Sequence, residues 1–550
     1  MQKNKRQNVK NVRSVIRQTV TGYAGLSLGI LLAVVGAIVT ALLPPWILGS
    51  IVDTITVGNA VPVALVILYF AFTVLTGLTE SLREGLLTVF GQKITHALRS
   101  SMMEKYTNLT AGELTKQEPG SIVSRFVGDV DTVENLFTSG IISMFADACS
   151  IISILVVIWF NNKGLAIVLV VILPFLFWFT RHVQKNMLAA QIQNRRAVSR
   201  VSGHVPETLH NIRTIHCLGK ERYMEERYDT YIGESYQAIE KTNFYDAVYS
   251  PVILILNAIV VAVVMLFSAS GNKTVLTLFG MSAGTAVAVM NYVSQIFTPV
   301  ESLGMEIQTI QSALAGVHRI NEFLDQPELP EKQPVEKKSQ KADAPFVSIK
   351  NVSFGYDDRL VLENLNFQVN TGEQVTLAGR TGAGKSTIFK LLLGLYRPSK
   401  GTVLIDGMPA ADIPEKTKRK LFGCVEQSFH MVPGTVKDQI TLFDENITME
   451  DVKAAAQLTG LADTIEELEK GYDTICTPEL FSQGQWQLLS IARAAVASPR
   501  LLLLDEITAN LDAETEKEVL QALKRVSGER TVISISHRTS AEMGRVIPIG

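Results

Sequence analysis

A glycine-rich loop in the second half of the chain reads Gly379-Arg380-Thr381-Gly382-Ala383-Gly384-Lys385-Ser386-Thr387. A short strand-like run, Glu373–Ala378, precedes the loop, and a helix-like run, Ile388–Leu395, follows it. Strand, glycine-rich loop and helix form the context that a phosphate-binding loop requires. Glycines let backbone N–H groups turn toward phosphate oxygens, and a helix N-terminus adds partial positive charge. The stretch therefore predicts a phosphate site on an α/β domain.

Two side chains of this loop carry the expected chemistry. Lys385 supplies a full positive charge for the β- and γ-phosphates of a nucleotide, and the hydroxyl of Ser386 is placed to hold Mg²⁺. The alternative is a glycine-rich turn that only caps a helix, and the rest of the chain has to decide between the two.

The composition indicates a membrane protein. The chain has 550 residues, of which 47% are hydrophobic and 19% charged, and the apolar residues are concentrated in runs. The formal net charge of −2 gives no indication of nucleic-acid binding. No cleavable signal peptide is expected, because the first apolar run is too long for one. Free thiols, rather than a disulfide or zinc site, are predicted for the widely spaced Cys149, Cys217, Cys424 and Cys476.

Six runs with almost no charge are each long enough to cross a bilayer as a helix. In chain order they are Tyr23–Leu48, Val61–Thr79, Ser139–Phe160, Gly164–Thr180, Val248–Asn272 and Thr274–Val300. Residues 1–20 carry six basic side chains and no acidic one, which places the N-terminus in the cytoplasm. An even number of spans returns the chain to that side.

The connections between the spans alternate between short loops and two long segments, Glu80–Thr138 and Arg181–Ala247. Both long segments are rich in Lys and Arg, so they are predicted to be cytoplasmic. Their patterns are helical, for instance over Leu82–Tyr106 and Gln184–Val201. We expect the spanning helices to continue into the cytoplasm as two hairpins, each with a turn at its tip.

Asp147 is the only acidic residue well inside a predicted span. A buried carboxylate in a membrane faces a cavity or a partner, so a substrate or proton contact and a structural link between helices both stay open. Glu301 and Glu306 are expected at the cytoplasmic end of the sixth span, without a special role. Weaker candidates, as links between helices, are Asn257, Asn291 and Gln295.

A solvated linker separates the two halves, because Gln326–Pro345 holds four prolines and many Lys and Glu residues. The sequence thus predicts a six-span transmembrane domain over residues 1–325, the linker over 326–345 and a soluble α/β domain over 346–550. In this last domain, Phe346–Tyr356 and Leu360–Val369 alternate like paired strands, with Asp357 and Asp358 in the turn.

A second apolar strand ends in two acidic side chains, Asp505 and Glu506. A buried strand that delivers Asp505 beside Mg²⁺ is what a phosphate-loop ATPase requires. Glu506, one residue further, is suited to orient and deprotonate an attacking water. Because this pair follows a phosphate loop, it predicts ATP hydrolysis.

Seven motifs in the expected order make nearly the whole chain resemble an ATP-binding cassette (ABC) exporter half-transporter, with one six-span membrane domain and one P-loop ATPase domain. The motif residues are the adenine-stacking Tyr356, the Walker A loop Gly379–Thr387, the Q-loop Gln427, the signature Ser482-Gln483-Gly484-Gln485, the Walker B Asp505 with the catalytic Glu506, the D-loop Ala509–Asp512 and the switch His537. The resemblance implies that ATP and Mg²⁺ bind here. It also implies that Gln427 contacts Mg²⁺ and senses the γ-phosphate.

The long cytoplasmic segments fit the same resemblance. Leu98–Asp129 is similar to the first intracellular loop of such exporters, and Glu207–Ile215 is similar to the second. The tips, near Ala111–Gly120 and Glu207–Gly219, are then implied to be coupling helices that dock on the ATPase domains.

The signature departs from the family pattern. It reads Phe481-Ser482-Gln483-Gly484-Gln485 where the family usually has Leu-Ser-Gly-Gly-Gln, and Trp486 stands where an Arg is usual. In this family each ATP lies between the Walker A loop of one subunit and the signature of the other, which Ser482, Gly484 and Gln485 would supply. We therefore expect a heterodimer with a second half-transporter, with a homodimer as the alternative, and Asn510 in the D-loop is similar to subunits of heterodimers.

Two further segments differ from the family. Ile475–Leu480, which precedes the signature, is about two residues short of the usual loop, and this predicts altered contact with the coupling helices. The family also continues for a few strands and a helix beyond the position of Gly550, which predicts a less stable domain.

The resulting hypothesis is ATP-driven export of an amphipathic or lipophilic substrate across the cell membrane by alternating access. An importer on the exporter fold, such as one for metal chelates, is an alternative that the direction of transport in inverted vesicles would decide. A regulator gated by ATP and without cargo is another, against which cargo-stimulated ATPase activity would argue.

Overall fold

The chain divides into two compact units in a computed structural model. One, the helical unit, is formed by Met1–Asn108 and Gln117–Gln326; the other, the α/β unit, by Leu109–Lys116 and Pro327–Gly550. The structure describes residues 11–161, 163–268, 282–329, 344–356, 359–507, 511–528, 530–536 and 543–550, apart from a few side chains within helices.

Long helices make up the helical unit. They are α1 (Val12–Gly22), α2 (Ala24–Thr56), α3 (Val63–Asn108), α5 (Pro119–Ser124), α6 (Val130–Thr138), α7 (Ile141–Asn161), α8 (Lys163–His210), α9 (Ile212–Leu218), α10 (Glu221–Ser268) and α11 (Ala283–Leu324), with α4 (Ala111–Lys116) belonging to the α/β unit. A π-helical turn, Arg125–Asp129, joins α5 to α6. The 46 residues of α3 give a length of about 69 Å, against about 30 Å of bilayer core. Such a helix is long enough to extend well beyond a membrane, as predicted.

Four helical segments among the described residues are long and apolar enough to cross a membrane: Ala24–Thr56, Val63–Asn108, Pro119–Asn161 and Ala166–His210. They cover nearly all of the first four predicted spans, apart from Tyr23, Val61, Pro62, Gly164 and Leu165. The fifth and sixth predicted spans fall on α10 and α11, and residues 269–281 of those runs lie outside the described residues.

The C-terminal end of α2 is fastened to the start of α11 by a carboxylate. Asp53 accepts hydrogen bonds from the backbone N–H of Gly284 at 2.8 Å and from the hydroxyl of Ser282 at 2.7 Å. An anion at a helix N-terminus is favourable because the first N–H groups have no partner within the helix. Gly49 and Gly284 allow the close approach, since a Cβ on Gly284 would collide with the Gly49 carbonyl.

An ion pair with a buried carboxylate holds the C-terminal part of α11. The guanidinium of Arg319 donates to both carboxylate oxygens of Asp129, at 2.5–3.1 Å, and Asp129 is only 5% exposed. Gly316, one turn earlier, lets α11 approach the Asp129 backbone and the Thr132 hydroxyl. This pair joins α11 to the π-helical turn between α5 and α6.

The α/β unit contains two sheets. The strands are β1 (Val347–Tyr356), β2 (Arg359–Val369), β3 (Gln374–Ala378), β4 (Lys400–Ile405), β5 (Met408–Pro409), β6 (Phe422–Val425), β7 (Leu501–Asp505), β8 (Thr531–Ile535) and β9 (Arg545–Pro548). The order β2-β1-β4-β5 forms an antiparallel sheet, and β6-β7-β8-β3-β9 forms a parallel one. β1 and β2 pair as predicted, and their predicted turn at Asp357 and Asp358 lies outside the described residues.

Helices cover the parallel sheet. They are α12 (Lys385–Leu392), α13 (Glu415–Leu421), α14 (Val436–Thr441), α15 (Met449–Thr459), α16 (Ala462–Glu466), α17 (Gln483–Ala495) and α18 (Ala513–Ser527). α12 begins three residues before the predicted Ile388, because the backbone N–H of Ile388 already bonds to the carbonyl of Gly384 at 3.0 Å. The end of the glycine-rich loop thus lies in the first turn of the helix.

Candidate functional site

The glycine-rich loop between β3 and α12 has a backbone conformation that suits a phosphate-binding loop. Gly382 and Gly384 have φ of +85° and +93°, a region that is costly for other residues. A Cβ on Gly384 would also lie 2.5 Å from Cδ2 of Leu362. These two positions require glycine on conformational grounds, and a loop of this shape fits phosphate oxygens.

Lys385 is held inside the loop. Its side chain is 5% exposed, and its Nζ donates to the carbonyls of Gly379 and Arg380 at 2.9 and 3.1 Å. The ammonium therefore lies among loop atoms, where phosphates would replace the two carbonyls as partners. Ser386 is exposed and Thr387 is buried, so the serine is the hydroxyl open to a metal-bound nucleotide.

The parallel sheet brings the remaining hydrolytic candidates to the same edge. Gln427 follows β6, and Asp505 and Glu506 end β7; both strands are parallel to β8 and β3. Carboxyl ends of parallel strands meet at one edge, which is where α/β domains bind ligands. The predicted His537 follows β8, and it lies outside the described residues together with Asn510.

Asp505 and Glu506 occupy a strained, charged position. Burial raises the pKa of Asp505, and the charges of Glu506 and Glu426 raise it further, while Lys385 opposes them. Glu506 has a φ of +46°, which is unfavourable for a residue with a side chain. Its backbone N–H donates to the carbonyl of Ile535 at 3.1 Å and anchors it to β8. Such strain concentrates at functional sites.

The residues at this edge fit a nucleotide-bound magnesium ion. The described residues contain no group of three or more His, Cys, Asp or Glu side chains that could hold a metal by themselves. Mg²⁺ in a nucleotide site needs only one or two protein ligands beside phosphates and waters. The exposed Ser386 and Gln427 and the half-buried Asp505 have the oxygen atoms that this requires.

Tyr356 lies beside the phosphate-loop helix. Its ring packs edge-on against Phe354 and Tyr396, with centroid distances of 5.1 and 5.5 Å, and its hydroxyl is 3.4 Å from that of Thr387. The ammonium of Lys390 lies 5.3 Å from the ring centroid. The position near the loop is compatible with the predicted adenine contact, which stays a prediction.

The signature residues form the N-terminus of α17. Ser482 caps the helix: its side chain accepts from the backbone N–H of Gln485, and the Gln485 side chain accepts from the N–H of Ser482 at 2.9 Å. Gln483 is exposed. Gly484 is buried, and a Cβ there would collide with the methyl group of Thr515 on α18. The glycine is thus required by packing within this chain.

An aromatic group behind the signature was missed by sequence reasoning. Trp486 stacks on Phe429 at 4.9 Å and meets Phe481 edge-on at 5.1 Å, while its indole N–H donates to the Pro478 carbonyl at 3.3 Å. Two of these rings, those of Phe481 and Trp486, belong to the residues that depart from the family pattern. Their joint occurrence in the sequence was the available signal.

Two polar residues of α17, also missed, bond to carbonyls before and after the Q-loop Gln427. Gln487 donates to the carbonyls of Ile507 and Glu426 at 3.2 and 3.4 Å, and so links the ends of β7 and β6. Arg493 donates to the carbonyls of Gln439 and His430 at 2.6 and 2.9 Å. Burial lowers the pKa of Arg493 to about 10. No motif marks either residue, so only the fold reveals them.

Comparison with known families decides the class of protein. The family described as ABC transporter transmembrane region matches residues 26–300, and the family described as ABC transporter matches residues 362–509. The chain belongs to the ABC transporters. It has the half-transporter arrangement of ABC exporters, in which ATP hydrolysis by the ATPase domain is coupled to transport across a membrane.

Relatives extend over most of the chain. An uncharacterized ABC transporter ATP-binding protein, YknV of Bacillus subtilis (strain 168), is 29% identical and covers 94% of this chain and 85% of the relative. An ATP-dependent lipid A-core flippase of Syntrophus aciditrophicus (strain SB) is 27% identical and covers 87% of this chain and 79% of the relative. A solved structure of a bacterial Atm1-family ABC exporter with ATP bound matches with a TM-score of 0.75 and 26% identity, and it covers 98% of this chain and 94% of that chain. The fold class predicted from the sequence is confirmed, as are the multi-pass membrane character and the ATP-binding domain.

Proposed function

We propose that this ABC exporter subunit moves amphipathic or lipophilic compounds out of the cell and hydrolyses ATP with its own Walker residues. The observation that carries the proposal is the common sheet edge. There the glycine-rich loop, Gln427 and the Asp505–Glu506 pair follow parallel strands of one sheet. Phosphoryl transfer depends on positioning and on charge stabilisation, so the gathering of these groups at one edge supports the proposal.

Nucleotide binding is assigned to one face of the α/β unit. Lys385 and the backbone N–H groups of Gly379–Thr387 hold the β- and γ-phosphates, and Tyr356 stacks on the adenine. Ser386, Gln427 and Asp505 are the ligands for Mg²⁺, which would neutralise charge on the phosphate oxygens.

Hydrolysis is assigned to Glu506. Its carboxylate orients a water molecule and accepts a proton as the water oxygen bonds to the γ-phosphorus. The bond from that phosphorus to the bridging oxygen breaks, which leaves ADP and phosphate. Lys385, Gln427 and His537 stabilise the charge that develops.

The altered signature supports a heterodimer. ABC exporter half-transporters act as dimers. In this chain the Ser482 and Gln485 side chains bond to each other's backbone, and Gln483 adds a side chain where a glycine is usual. The proposed hydrolytic site therefore combines this chain's Walker residues with the signature of a different subunit.

Coupling to the membrane domain is proposed to run through the two intracellular tips. α4, at the first tip, belongs to the α/β unit, where the N–H of Thr110 bonds to the carbonyl of Pro327 at 3.3 Å. At the second tip a cavity of about 340 Å³ has a mostly apolar lining that includes Leu209, Ile212 and Met224. Both features suit docking segments that carry the motion of alternating access.

The proposed location is the cell membrane, with the N-terminus and the ATPase domain in the cytoplasm. The basic residues of the N-terminus and of the long connections support this orientation. Of the N-terminal ones, Arg13 and Arg17 lie in α1, and Lys3, Lys5, Arg6 and Lys10 lie outside the described residues.

Transport in inverted membrane vesicles tests the proposal. The chain is co-expressed with a candidate partner half-transporter, and ATP-dependent uptake of a fluorescent amphipathic dye is followed. Uptake should be lost in Lys385→Ala and kept in the matched control Lys400→Ala, which removes an exposed ammonium from β4. ATP-driven movement in the opposite direction, or unchanged uptake in Lys385→Ala, would overturn the proposal.

Native mass spectrometry tests the heterodimer separately. The chain expressed alone should form no ATPase-active dimer, and co-expression should give a complex with one copy of each subunit. An active complex of two copies of this chain would contradict the heterodimer. Gln483→Gly should raise the ATPase rate of the mixed complex if the added side chain restricts nucleotide access.

A further inference from the structure

Four polar side chains from three helices meet in the helical unit. The hydroxyl of Ser302 on α11 donates to the carboxylate of Asp147 on α7. Glu306 lies one turn after Ser302, on the same face of α11. The charges of Asp147 and of Arg83 on α3 both act on Glu306. The structure thus brings together two carboxylates that lie far apart in the sequence.

Glu306 is the unexpected member of this cluster. The sequence predicted a residue without a special role at the end of a span, yet Glu306 is only 6% exposed. Its Oε2 atom is buried and has no hydrogen-bond partner in the described part of the chain. Burying a carboxylate oxygen without a partner is unfavourable, so something must compensate for it when the protein functions.

The cluster contains more negative than positive charge. Arg83 forms an ion pair with Glu80 on its own helix, so its charge is already shared. Among the described residues, the buried Nε of Arg83 has no hydrogen-bond partner, so this atom does not bond to either carboxylate. With Asp147 and Glu306 ionised, the site has an unmatched negative charge.

The surroundings favour an organic cation over a metal ion. The described residues include no group of three or more carboxylate, His or Cys side chains, which a dedicated divalent site would need. On α7, one turn before and one turn after Asp147, the half-buried side chains of Met144 and Ile151 form an apolar wall. A positive group joined to an apolar body matches two carboxylates beside such a wall.

We propose that Asp147 and Glu306 form a recognition site for the positively charged group of an amphipathic organic cation carried by this exporter. Asp147, which is half-buried, lies at the more accessible side of the site, and Glu306 lies at its buried end. Ser302 orients the Asp147 carboxylate. The inference rests on the proposed function and names the cargo class for it.

Binding of radiolabelled tetraphenylphosphonium to the complex in nanodiscs tests the site, because this probe carries a permanent charge. Asp147→Asn and Glu306→Gln should each weaken binding about tenfold or more, as expected for loss of a charge partner in a partly buried site. Glu322→Gln, at an exposed position on the same helix, is the matched control and should bind like wild type. The neutral analogue triphenylphosphine oxide should bind equally to all variants.

A variant that binds tetraphenylphosphonium more tightly would exclude misfolding as the explanation. Arg83→Gln removes the competing positive charge and should tighten tetraphenylphosphonium binding several-fold, which a damaged protein would not do. Unchanged probe binding in Asp147→Asn and Glu306→Gln would overturn the inference. In that case, a changed pH dependence of ATPase activity would assign the carboxylates to a proton, and a lowered Tm alone would assign them to structure.

The outcome is separable from that of the proposed function. If the wild-type complex hydrolyses ATP and exports an uncharged fluorescent amphipathic dye while the two carboxylate variants bind the cation normally, only the recognition site is wrong. If the wild-type complex shows no ATP-driven transport, the proposed function itself fails.

Discussion

The phosphate loop and the signature segment are both glycine-containing helix N-termini of the α/β unit, and they use their polar groups in opposite ways. In the loop, Lys385 is directed at backbone carbonyls that a nucleotide would displace. In the signature, the side chains of Ser482 and Gln485 cap their own helix. The loop is therefore arranged around a ligand, whereas the signature of this chain is arranged around its own packing.

The side chains around the two segments also differ: they are charged beside the loop and aromatic behind the signature. Beside the loop lie the titratable groups Asp505 and Glu506, one with a raised pKa and one with a strained backbone. Behind the signature lie three aromatic rings. The comparison teaches that the charged groups of the α/β unit are concentrated beside the phosphate loop, which we call its chemical half, whereas the signature, its packed half, is backed by aromatic side chains.

The largest effect should come from the chemical half. Glu506→Gln removes the proposed base without changing the size of the side chain, so ATPase activity should fall about 10²-fold or more. ATP should still bind, and it should be retained in a trapped complex. Steady-state hydrolysis and retention of labelled ATP are the measurements.

The matched control for this variant is Glu518→Gln, which changes an exposed carboxylate on α18. It should hydrolyse ATP at the wild-type rate. If Glu506→Gln retains substantial turnover in the mixed complex, then either Glu506 is not the base or the second site carries hydrolysis. The loop side of this chain would then not be the side that carries the hydrolytic chemistry.

At the packed half, Gly484→Ala should have the next largest effect. The new methyl group would collide with the Thr515 methyl, and such overpacking costs about 1–3 kcal/mol. Thr515→Ser removes that methyl and keeps the hydroxyl that bonds to Asp512 at 2.6 Å, so the double variant should recover stability. Urea unfolding and ATPase rates of the single and double variants check this.

If Thr515→Ser restores neither the stability nor the ATPase rate of Gly484→Ala, Gly484 is required so that the nucleotide can approach the backbone. That result would make the signature of this chain a ligand-directed segment like the phosphate loop. Recovery of stability without recovery of activity would assign both roles to Gly484.

The aromatic group should make a smaller, measurable contribution. A double-mutant cycle with Phe429→Ala and Trp486→Ala should give a coupling energy of about 0.5–1.5 kcal/mol, as for other stacked pairs. Urea unfolding of the four proteins measures it. A coupling near zero would show that the rings touch without stabilising the segment after the Q-loop.

Sequence reasoning succeeded where the signal was local. The glycine spacing of 379–387 and the apolar strand before Asp505 each specify a short structure by themselves, and the structure has the strand in the parallel sheet and the end of the loop in the first turn of α12. The long helices followed from uninterrupted apolar runs joined to charged helical ones. In each case the pattern that predicts the element is contained within the element.

It failed where a side chain depends on distant neighbours. The burial of Glu306 comes from packing among helices, which a count of charges along α11 does not reveal. Trp486 was noticed as a departure, but its partner Phe429 comes from another segment. Gln487 and Arg493 lie in no motif, and they become informative only when the carbonyls that they contact are known.

The smallest effect expected returns to the chemical half and concerns stability. Burial and neighbouring acids raise the pKa of Asp505, so the folded unit binds its proton more tightly than the unfolded chain does. The stability that this proton provides is present at low pH and is lost as pH rises through the folded pKa. Asp505→Asn should thus raise the Tm of the nucleotide-free protein, and more so at pH 8 than at pH 5.

Glu445→Gln, at an exposed position in the same unit, is the control and should leave the Tm unchanged at both pH values. The measurement is thermal unfolding without ATP or Mg²⁺. Because a ligand-directed group is unfavourably placed until its ligand arrives, a stabilising Asp505→Asn would mark the loop half as built for binding at the expense of stability. A lower Tm in Asp505→Asn would mean that this carboxylate stabilises the free fold, and that the loop and the signature of this chain do not differ in this respect.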